Sequence, residues 1–206
     1  MRNLNKYILL TVLISYSVLS AFAGSKQEAF EDVRSKLNGL ETVHIVFGVN
    51  NSDMVGEIYA QKGGKIRMSL RDNIIISDGK TIWNVSPGNS VAISDYEEDD
   101  GFSLETILFE LVSNLTPKKY SQISKTNSDA KYSLELAPKT NSVYEDQLEN
   151  LIIQFDKNRE MKNIIVNQLD GSSVSYQIKE INYNPKLSSN KFTFVPTEGL
   201  EIIDFR

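Results

Sequence analysis

Apolar and polar residues alternate with a period of two along most of the chain after residue 41, and this pattern limits the possible folds more than any other feature. Between residues 42 and 50, for example, Val43, Ile45 and Phe47 occupy every second position. Such alternation places the apolar side chains on one face of a β-strand. Turn-type pairs such as Asp78-Gly79 separate the alternating segments. The pattern predicts strands over residues 42–50, 55–61, 65–70, 73–77, 81–85, 91–96, 120–125, 132–137, 148–155, 161–169, 173–183 and 191–195.

Two segments have helical spacing instead. Ser25 and Glu28 are spaced as in a capping box, and the helix that they begin is expected to end near Asn38-Gly39. Ser103 is positioned to cap a second helix, which Pro117 is expected to end. The apolar residues of this second helix fall on one face and are Leu104, Ile107, Leu108, Leu111, Val112 and Leu115.

Strands joined by short turns pair with their neighbours in sequence, so the chain is predicted to form a single curved antiparallel sheet. Each predicted helix has one apolar face that must be covered, and the interior of a curved sheet is the available surface. The predicted fold class is therefore mainly β with an α-helical lid. The sheet is expected to form an incomplete, half-open β-barrel, and the helices are expected to close its open side.

The N-terminal segment has the features of a cleaved Sec-type signal peptide. Arg2 and Lys6 precede an apolar run over residues 7–19, which is shorter than a membrane span, and Ala21-Phe22-Ala23 supplies a small-residue cleavage site. We therefore expect residues 1–23 to be removed after Ala23 and residues 24–206 to form one exported domain. A lipid anchor of the lipoprotein type is not expected, because the chain has no cysteine to carry it.

The composition argues against most kinds of chemistry. Without cysteine and with one histidine, the chain offers no thiolate nucleophile and no Cys- or His-clustered metal site. No serine lies in a Gly-x-Ser-x-Gly pattern, so the sequence does not support a serine nucleophile. His44 alternates with the apolar residues Val43 and Ile45, so its side chain is expected on the solvent or edge side of the strand. A net charge of −5 argues against nucleic acid as a partner. We expect no enzymatic activity, no cofactor and no metal.

Two motifs resemble those of a known family. Residues 77–83 read Ser-Asp-Gly-Lys-Thr-Ile-Trp, and the C-terminal segment contains Phe192-Thr193-Phe194-Val195-Pro196-Thr197-Glu198-Gly199. Together with the signal peptide they resemble the LolA family of periplasmic outer-membrane lipoprotein carriers, whose closing motif has a second Pro where this chain has Thr197. The resemblance covers essentially residues 24–206.

The resemblance implies a half-open barrel whose cavity takes up the acyl chains of a lipoprotein, with no reaction. Such a carrier is expected to be a monomer in the periplasm. Its implied partners are lipoproteins, an inner-membrane ABC-type lipoprotein-releasing complex, and an outer-membrane acceptor or the outer membrane itself.

The strand and helix patterns, read with the resemblance, predict which residues line the cavity. The predicted wall and lid residues are Ile45, Phe47, Ile58, Ile66, Met68, Ile75, Trp83, Leu104, Leu108 and Leu111. Of these, Ile66, Met68 and Ile75 align best with family positions that face the cavity. Better-known members carry an Arg-Pro pair where this chain has Lys62-Gly63, and their Arg is thought to tie the lid shut. Lys62 is the corresponding candidate lid tether, although it lacks the planar donor fork of Arg.

Two other functions remain open from the sequence. An apolar cavity on the same scaffold suits another lipid or amphiphile equally well, because the same residue types line it. A periplasmic sensor or interaction module would instead use the cavity to hold part of a partner protein. A hydrolase is disfavoured by the missing nucleophile and base.

Overall fold

The computed structural model describes residues 25–50, 52–88, 90–96, 102–124 and 128–206. In this part of the chain, twelve strands form one open, curved sheet that does not close into a barrel. The predicted signal peptide, residues 1–23, lies outside the described residues. The α-helices are α1 (Lys26–Asn38) and α2 (Leu104–Phe109). The strands are β1 (Thr42–Val49), β2 (Val55–Gln61), β3 (Lys65–Leu70), β4 (Asn73–Asp78), β5 (Thr81–Ser86), β6 (Ser90–Asp95), β7 (Leu115–Gln122), β8 (Tyr132–Pro138), β9 (Leu148–Phe155), β10 (Met161–Gln168), β11 (Ser173–Tyr183) and β12 (Glu201–Asp204).

Helix α1 begins where the sequence predicts. The Glu28 backbone N–H donates to Ser25 Oγ at 3.1 Å, and the Ser25 backbone N–H donates to the Glu28 carboxylate at 2.8 Å. This reciprocal pair satisfies backbone donors that a helix N-terminus leaves free, so the capping box is confirmed. The buried residues of α1 are Ala29, Phe30, Val33 and Leu37, which repeat at helical spacing on one face.

The sheet consists of two runs of sequential hairpins joined at β1. Its strand order is β12-β6-β5-β4-β3-β2-β1-β11-β10-β9-β8-β7. Strand β1 pairs with β2 on one side and with β11 on the other, both antiparallel. The pairing of β1 with β11 therefore unites the two halves of the chain, and β7 and β12 form the edges.

The second helix is shorter than predicted. Helix α2 ends at Phe109, a 3₁₀ turn follows over Leu111–Asn114, and Leu115 already begins strand β7. Pro117, expected to end the helix, lies inside β7 next to an irregularity in its pairing with β8. An edge strand can accept proline because no further strand needs its missing N–H. The apolar residues Leu111 and Leu115 are buried all the same.

The C-terminal segment also differs from the prediction. Residues 191–195 are not a strand, since a 3₁₀ turn over Ser189–Phe192 buries Phe192 and packs against β3 and β4. The last strand is instead β12, which pairs with β6 in parallel. The sheet is therefore mixed, whereas the sequence predicted an antiparallel one. A parallel pairing across this distance in the chain leaves no local pattern that could reveal it.

One continuous core lies between the sheet and the helices. The face of the sheet that carries Val43, Ile45 and Phe47 is here called the inner face, and α1 and α2, together called the lid, pack their apolar residues against it. The opposite face is called the outer face. In the described part of the chain, neither helix is long and apolar enough to span a membrane.

Close packing at Gly56 gives a test of this arrangement. A Cβ at Gly56 would lie 2.5 Å from the ring of Phe47, whereas a Cβ at Gly48 would have its nearest neighbours at 3.6 Å. Phe47 is 1% exposed and cannot move aside freely. We expect Gly56→Ala to lower the free energy of unfolding by about 1–3 kcal/mol.

Gly48→Ala is the matched control, since both glycines lie in strands at ordinary φ values. Its unfolding free energy should change by less than about 0.5 kcal/mol. Urea denaturation of the two variants checks this. Equal stability of the two would contradict the packing of Phe47 on Gly56.

Candidate functional site

A row of apolar side chains crosses four strands of the inner face. Ile45 on β1 lies opposite Ile58 on β2, Ile58 lies opposite Met68 on β3, and Met68 lies opposite Ile75 on β4. Residues paired in this way point to the same side of a sheet. The register thus brings together four of the residues that the sequence predicted for the wall.

The lid covers one end of this row. Leu104, Leu108 and Leu111 are each at most 2% exposed and belong to the same core cluster as Ile45 and Phe47. Ile58 is also fully buried there, and Ile66 and Met68 pack against the cluster from its margin. Eight of the ten predicted wall and lid residues therefore belong to one apolar core cluster or pack against it; Ile75 and Trp83 do not.

The other end of the inner face is less covered. A group of apolar residues on β3, β4 and β5, here called the open strip, is only half-buried: Ile66, Met68, Leu70, Ile75 and Ile82. Leu70 and Ile82 are not among the wall residues predicted from the sequence. The period-two alternation with Met68 was the signal for Leu70, whereas Ile82 could be assigned only from the pairing of β4 with β5. The strip extends the apolar wall beyond the lid.

Tyrosines on the inner face act as apolar groups. Burial raises the pKa of Tyr120, Tyr176 and Tyr183, and the nearby Glu160 carboxylate raises the pKa of Tyr183 further. A phenol of ordinary pKa is already neutral at physiological pH, and the raised values keep all three neutral at higher pH as well. Tyr183 lies beside the ion pair of Lys36 and Glu160, with Lys36 Nζ 4.3 Å from its ring centroid, whereas Tyr176 packs edge-on against Phe47.

A small cavity lies under α1. It has a volume of about 230 Å³ and is lined by Ala29, Asp32, Val33, Lys36, Leu37, Tyr120, Phe155, Asn158, Arg159 and Met161. Its floor is apolar, and two ion pairs cross its rim from α1: Asp32 with Arg159, and Lys36 with Glu160 at 3.1 Å. The Asp32–Arg159 pair is exposed and the Lys36–Glu160 pair is about half-exposed, so each contributes at most about 1 kcal/mol. The lid is held mainly by apolar contacts.

Trp83 does not lie in the wall. It pairs with Ile76 and therefore lies on the outer face, opposite to Met68 and Ile75. There its ring stacks on Phe194 with centroids 5.8 Å apart. Ile82 and Trp83 are neighbours in one strand, so one of them must face outward, and the pairing of β4 with β5 decides which. The wall position predicted for Trp83 is taken by Ile82.

Lys62 lies in the exposed turn between β2 and β3. Its backbone N–H donates to the Glu41 carbonyl at 2.9 Å. Within the described residues, its side chain forms no hydrogen bond or ion pair with either helix. The role of Lys62 as a lid tether stays a prediction from the family resemblance.

Groups suited to metal binding are absent from the site. No cluster of three or more His, Cys, Asp or Glu side chains that could hold a metal ion is found among the residues that the structure describes. His44 points away from the inner face and bonds Glu57 at 2.8 Å through Nε2. The site is a hydrocarbon-like surface, and its chemistry is burial of apolar groups.

Comparison with known proteins finds a protein family whose sequence model matches most of the chain. The profile described as "Outer membrane lipoprotein carrier protein LolA" matches residues 46–195. Outer-membrane lipoprotein carrier proteins of Histophilus somni (strain 2336) and Cronobacter sakazakii are similar over nearly the whole chain. The first is 26% identical and the alignment covers 98% of this chain and 99% of the relative. The second is 25% identical, and the alignment covers 95% of this chain and 98% of the relative.

A solved structure has a similar fold. An uncharacterized conserved protein from Thermus thermophilus superposes with a TM-score of 0.52 at 11% identity, over 88% of this chain and 99% of that one. At this identity the similarity concerns the fold alone.

Apolar attachment of α1 can be tested by comparing two substitutions on it. Leu37→Ala removes a side chain that is 5% exposed, and we expect it to lower the free energy of unfolding by about 2–5 kcal/mol. Asp32→Asn removes only an exposed ion pair and should cost less than about 1 kcal/mol. Chemical denaturation measures both. A larger loss from Asp32→Asn would show that the ion pairs hold the lid.

Proposed function

Because the chain belongs to the LolA family of outer membrane lipoprotein carrier proteins, we propose that it carries lipoproteins through the periplasm from the inner to the outer membrane. In this proposal the acyl chains of the lipoprotein bind to the inner face of the sheet. The observation that carries it is the continuous apolar row from Ile45 to Ile75, covered by the lid at one end and half-exposed at the other. No reaction, metal or cofactor is needed.

The free energy of burying acyl chains explains why a carrier is required. Burial of each CH₂ group is worth about 0.8 kcal/mol, so one chain of ~16 carbons costs roughly 12 kcal/mol to keep in water. A lipoprotein with two or three such chains cannot cross an aqueous compartment at a useful rate without a protein that covers them.

The size of the cavity under α1 indicates how loading would occur. A volume of about 230 Å³ is below the range of roughly 300–1,000 Å³ that is usual for small-molecule pockets. In the proposed mechanism, acyl chains therefore displace the lid from the inner face rather than enter this cavity. Full burial of one aliphatic lid side chain contributes a free energy of about 1.5–3 kcal/mol. The roughly 12 kcal/mol from burying one acyl chain therefore offsets the loss of several such lid contacts.

Release requires the reverse exchange. When the lid returns to the inner face, it covers the same apolar surface that the acyl chains leave, and the free-energy cost of unloading falls accordingly. In the proposed pathway an inner-membrane ABC-type complex supplies the cargo, and an outer-membrane acceptor or the membrane receives it. The family resemblance makes Lys62 the candidate tether of the closed lid, but its side chain bonds neither helix in the described residues, so apolar contacts are what hold the lid there.

Charge placed in the open strip tests cargo binding. The chain from residue 24 onward is incubated with a triacylated lipoprotein, or with the same lipoprotein lacking its lipid, and complexes are counted by native mass spectrometry. We expect a one-to-one complex with the lipidated form only. Met68→Glu should reduce the complex about tenfold or more, because the carboxylate loses its water against acyl chains.

Two variants control for this change. Gln177→Glu adds the same charge at an exposed position of β11, and Met68→Leu keeps an apolar side chain of similar volume. Both should bind as the unchanged chain does. Undiminished binding by folded Met68→Glu would contradict the assigned wall. Binding of lipid-free cargo would favour an interaction module instead.

Cross-linking tests the movement of the lid. The chain has no cysteine, so Asp32→Cys with Arg159→Cys can be bridged by a reducible bis-thiol reagent at the place where the native side chains meet. The bridged protein should take up no lipoprotein, and reduction should restore uptake. The control bridges Asn150→Cys and Asn167→Cys, which replace a hydrogen-bonded pair on neighbouring strands. Uptake by the closed, bridged protein would exclude α1 as a moving part.

A further inference from the structure

A second cleft lies on the outer face, separated from the lipoprotein site by the sheet itself. Its volume is about 720 Å³, which falls within the range of small-molecule sites. Strands β3 to β5 form its floor and the C-terminal segment after β11 forms its wall. The lining residues are Arg67, Ile74, Ile76, Val85, Ser86, Pro87, Gly88, Asn190, Lys191, Thr193, Phe194, Val195, Thr197 and Leu200.

Two cations lie close together in this cleft. Arg67 pairs across the strands with Tyr59, and Lys191 Nζ lies 3.6 Å from the centroid of the Tyr59 ring. Directly paired residues have Cβ atoms about 5 Å apart, so both cations belong to the same end of the cleft. None of the lining residues is acidic, although the whole chain has a net charge of −5. A local excess of positive charge favours an anion there.

The Glu57 carboxylate, which lies next to Tyr59 on the outer face, is engaged elsewhere. Glu57 accepts a hydrogen bond from Tyr59 Oη at 2.7 Å and contacts His44 Nε2 at 2.8 Å. It influences Lys191 through space but has no direct contact with it within the described residues. Arg67 forms no salt bridge with any residue that the structure describes. The guanidinium of Arg67 is therefore available to a bound anion.

The remainder of the cleft is apolar. Ile74, Ile76 and Val85 project from the floor, and Phe194 projects from the wall, where it stacks on Trp83. These side chains present hydrocarbon and aromatic surface beside the cationic end. A ligand that fits must combine one negative group with an apolar body.

We propose that this outer cleft binds a single-chain anionic amphiphile. Its carboxylate or phosphate pairs with Arg67 and Lys191, and its hydrocarbon chain lies along Ile74, Ile76 and Phe194. Arg is suited to this role because its planar donors match the oxygens of either head group. The site is independent of lipoprotein carriage, because the inner and outer faces of one sheet share no side chains.

Trp83 provides a direct test, since it is the only tryptophan in the chain and stacks on Phe194. A stearate with a nitroxide on its chain, added below its micelle concentration, should quench Trp83 fluorescence in a saturable way. Arg67→Gln combined with Lys191→Gln should raise the dissociation constant about tenfold or more. Lys179→Gln, which removes an exposed cation of β11, should leave it unchanged.

Further arms distinguish the possible origins of the signal. Quenching should persist in Met68→Glu, a variant of the inner face, and loss of quenching there would overturn the proposal by locating the label on that face. A nitroxide lysophosphatidylcholine of equal chain length should bind more weakly than the stearate. Displacement of stearate by inorganic phosphate alone, or equal affinity in the double variant, would likewise overturn the proposal.

Discussion

Both helices and most strands of the sheet pack against one apolar surface, the inner face of the sheet. An open sheet that exposes such a face to water is unfavourable, so something must always cover it. In the described structure the cover is the lid, whose residues Leu104, Leu108 and Leu111 reach the same cluster as Ile45. A carrier can work on this basis if cargo and lid alternate on one surface. The exposed ion pairs at the rim of α1 contribute too little to prevent the exchange.

The two faces of the sheet differ in the side chains that they carry. The inner face carries mainly apolar side chains and neutral tyrosines, and burial raises the pKa of Tyr176 and Tyr183 further above the ordinary value. The outer face carries the hydrogen-bonded group of His44, Glu57 and Tyr59, and Lys191 joins it from the C-terminal segment. That segment leaves β11 at Asn184, which donates to the carbonyl of Gly39 at the end of α1, and then crosses the outer face to form the wall of the outer cleft before β12 pairs with β6. Ligands on the two faces need not compete.

Local pattern was enough to predict much of this architecture. The bounds of β2, β3, β9 and β11 agree with the alternation, and α1 begins at its predicted capping box. Features that depend on distant partners were mispredicted. Pro117 is tolerated inside β7 because β7 is an edge strand. Strand β12 forms only by pairing with the distant strand β6. Trp83 faces outward because the register between β4 and β5 places Ile82, and not Trp83, on the inner face. The open strip is likewise a property of the assembled sheet, since periodicity cannot tell which part of an apolar face a lid will cover.

A distance measurement shows whether acyl chains displace the lid from the inner face. Spin labels at Arg34→Cys on α1 and Lys157→Cys in the turn between β9 and β10 report the separation of lid and sheet, and a Lys157→Cys/Lys179→Cys pair reports the sheet alone. With triacylated lipoprotein, the first distance should lengthen and the second should stay constant, and lipid-free cargo should change neither. If the lipoprotein complex forms while the distance between Arg34→Cys and Lys157→Cys stays unchanged, the lid does not move aside for acyl chains.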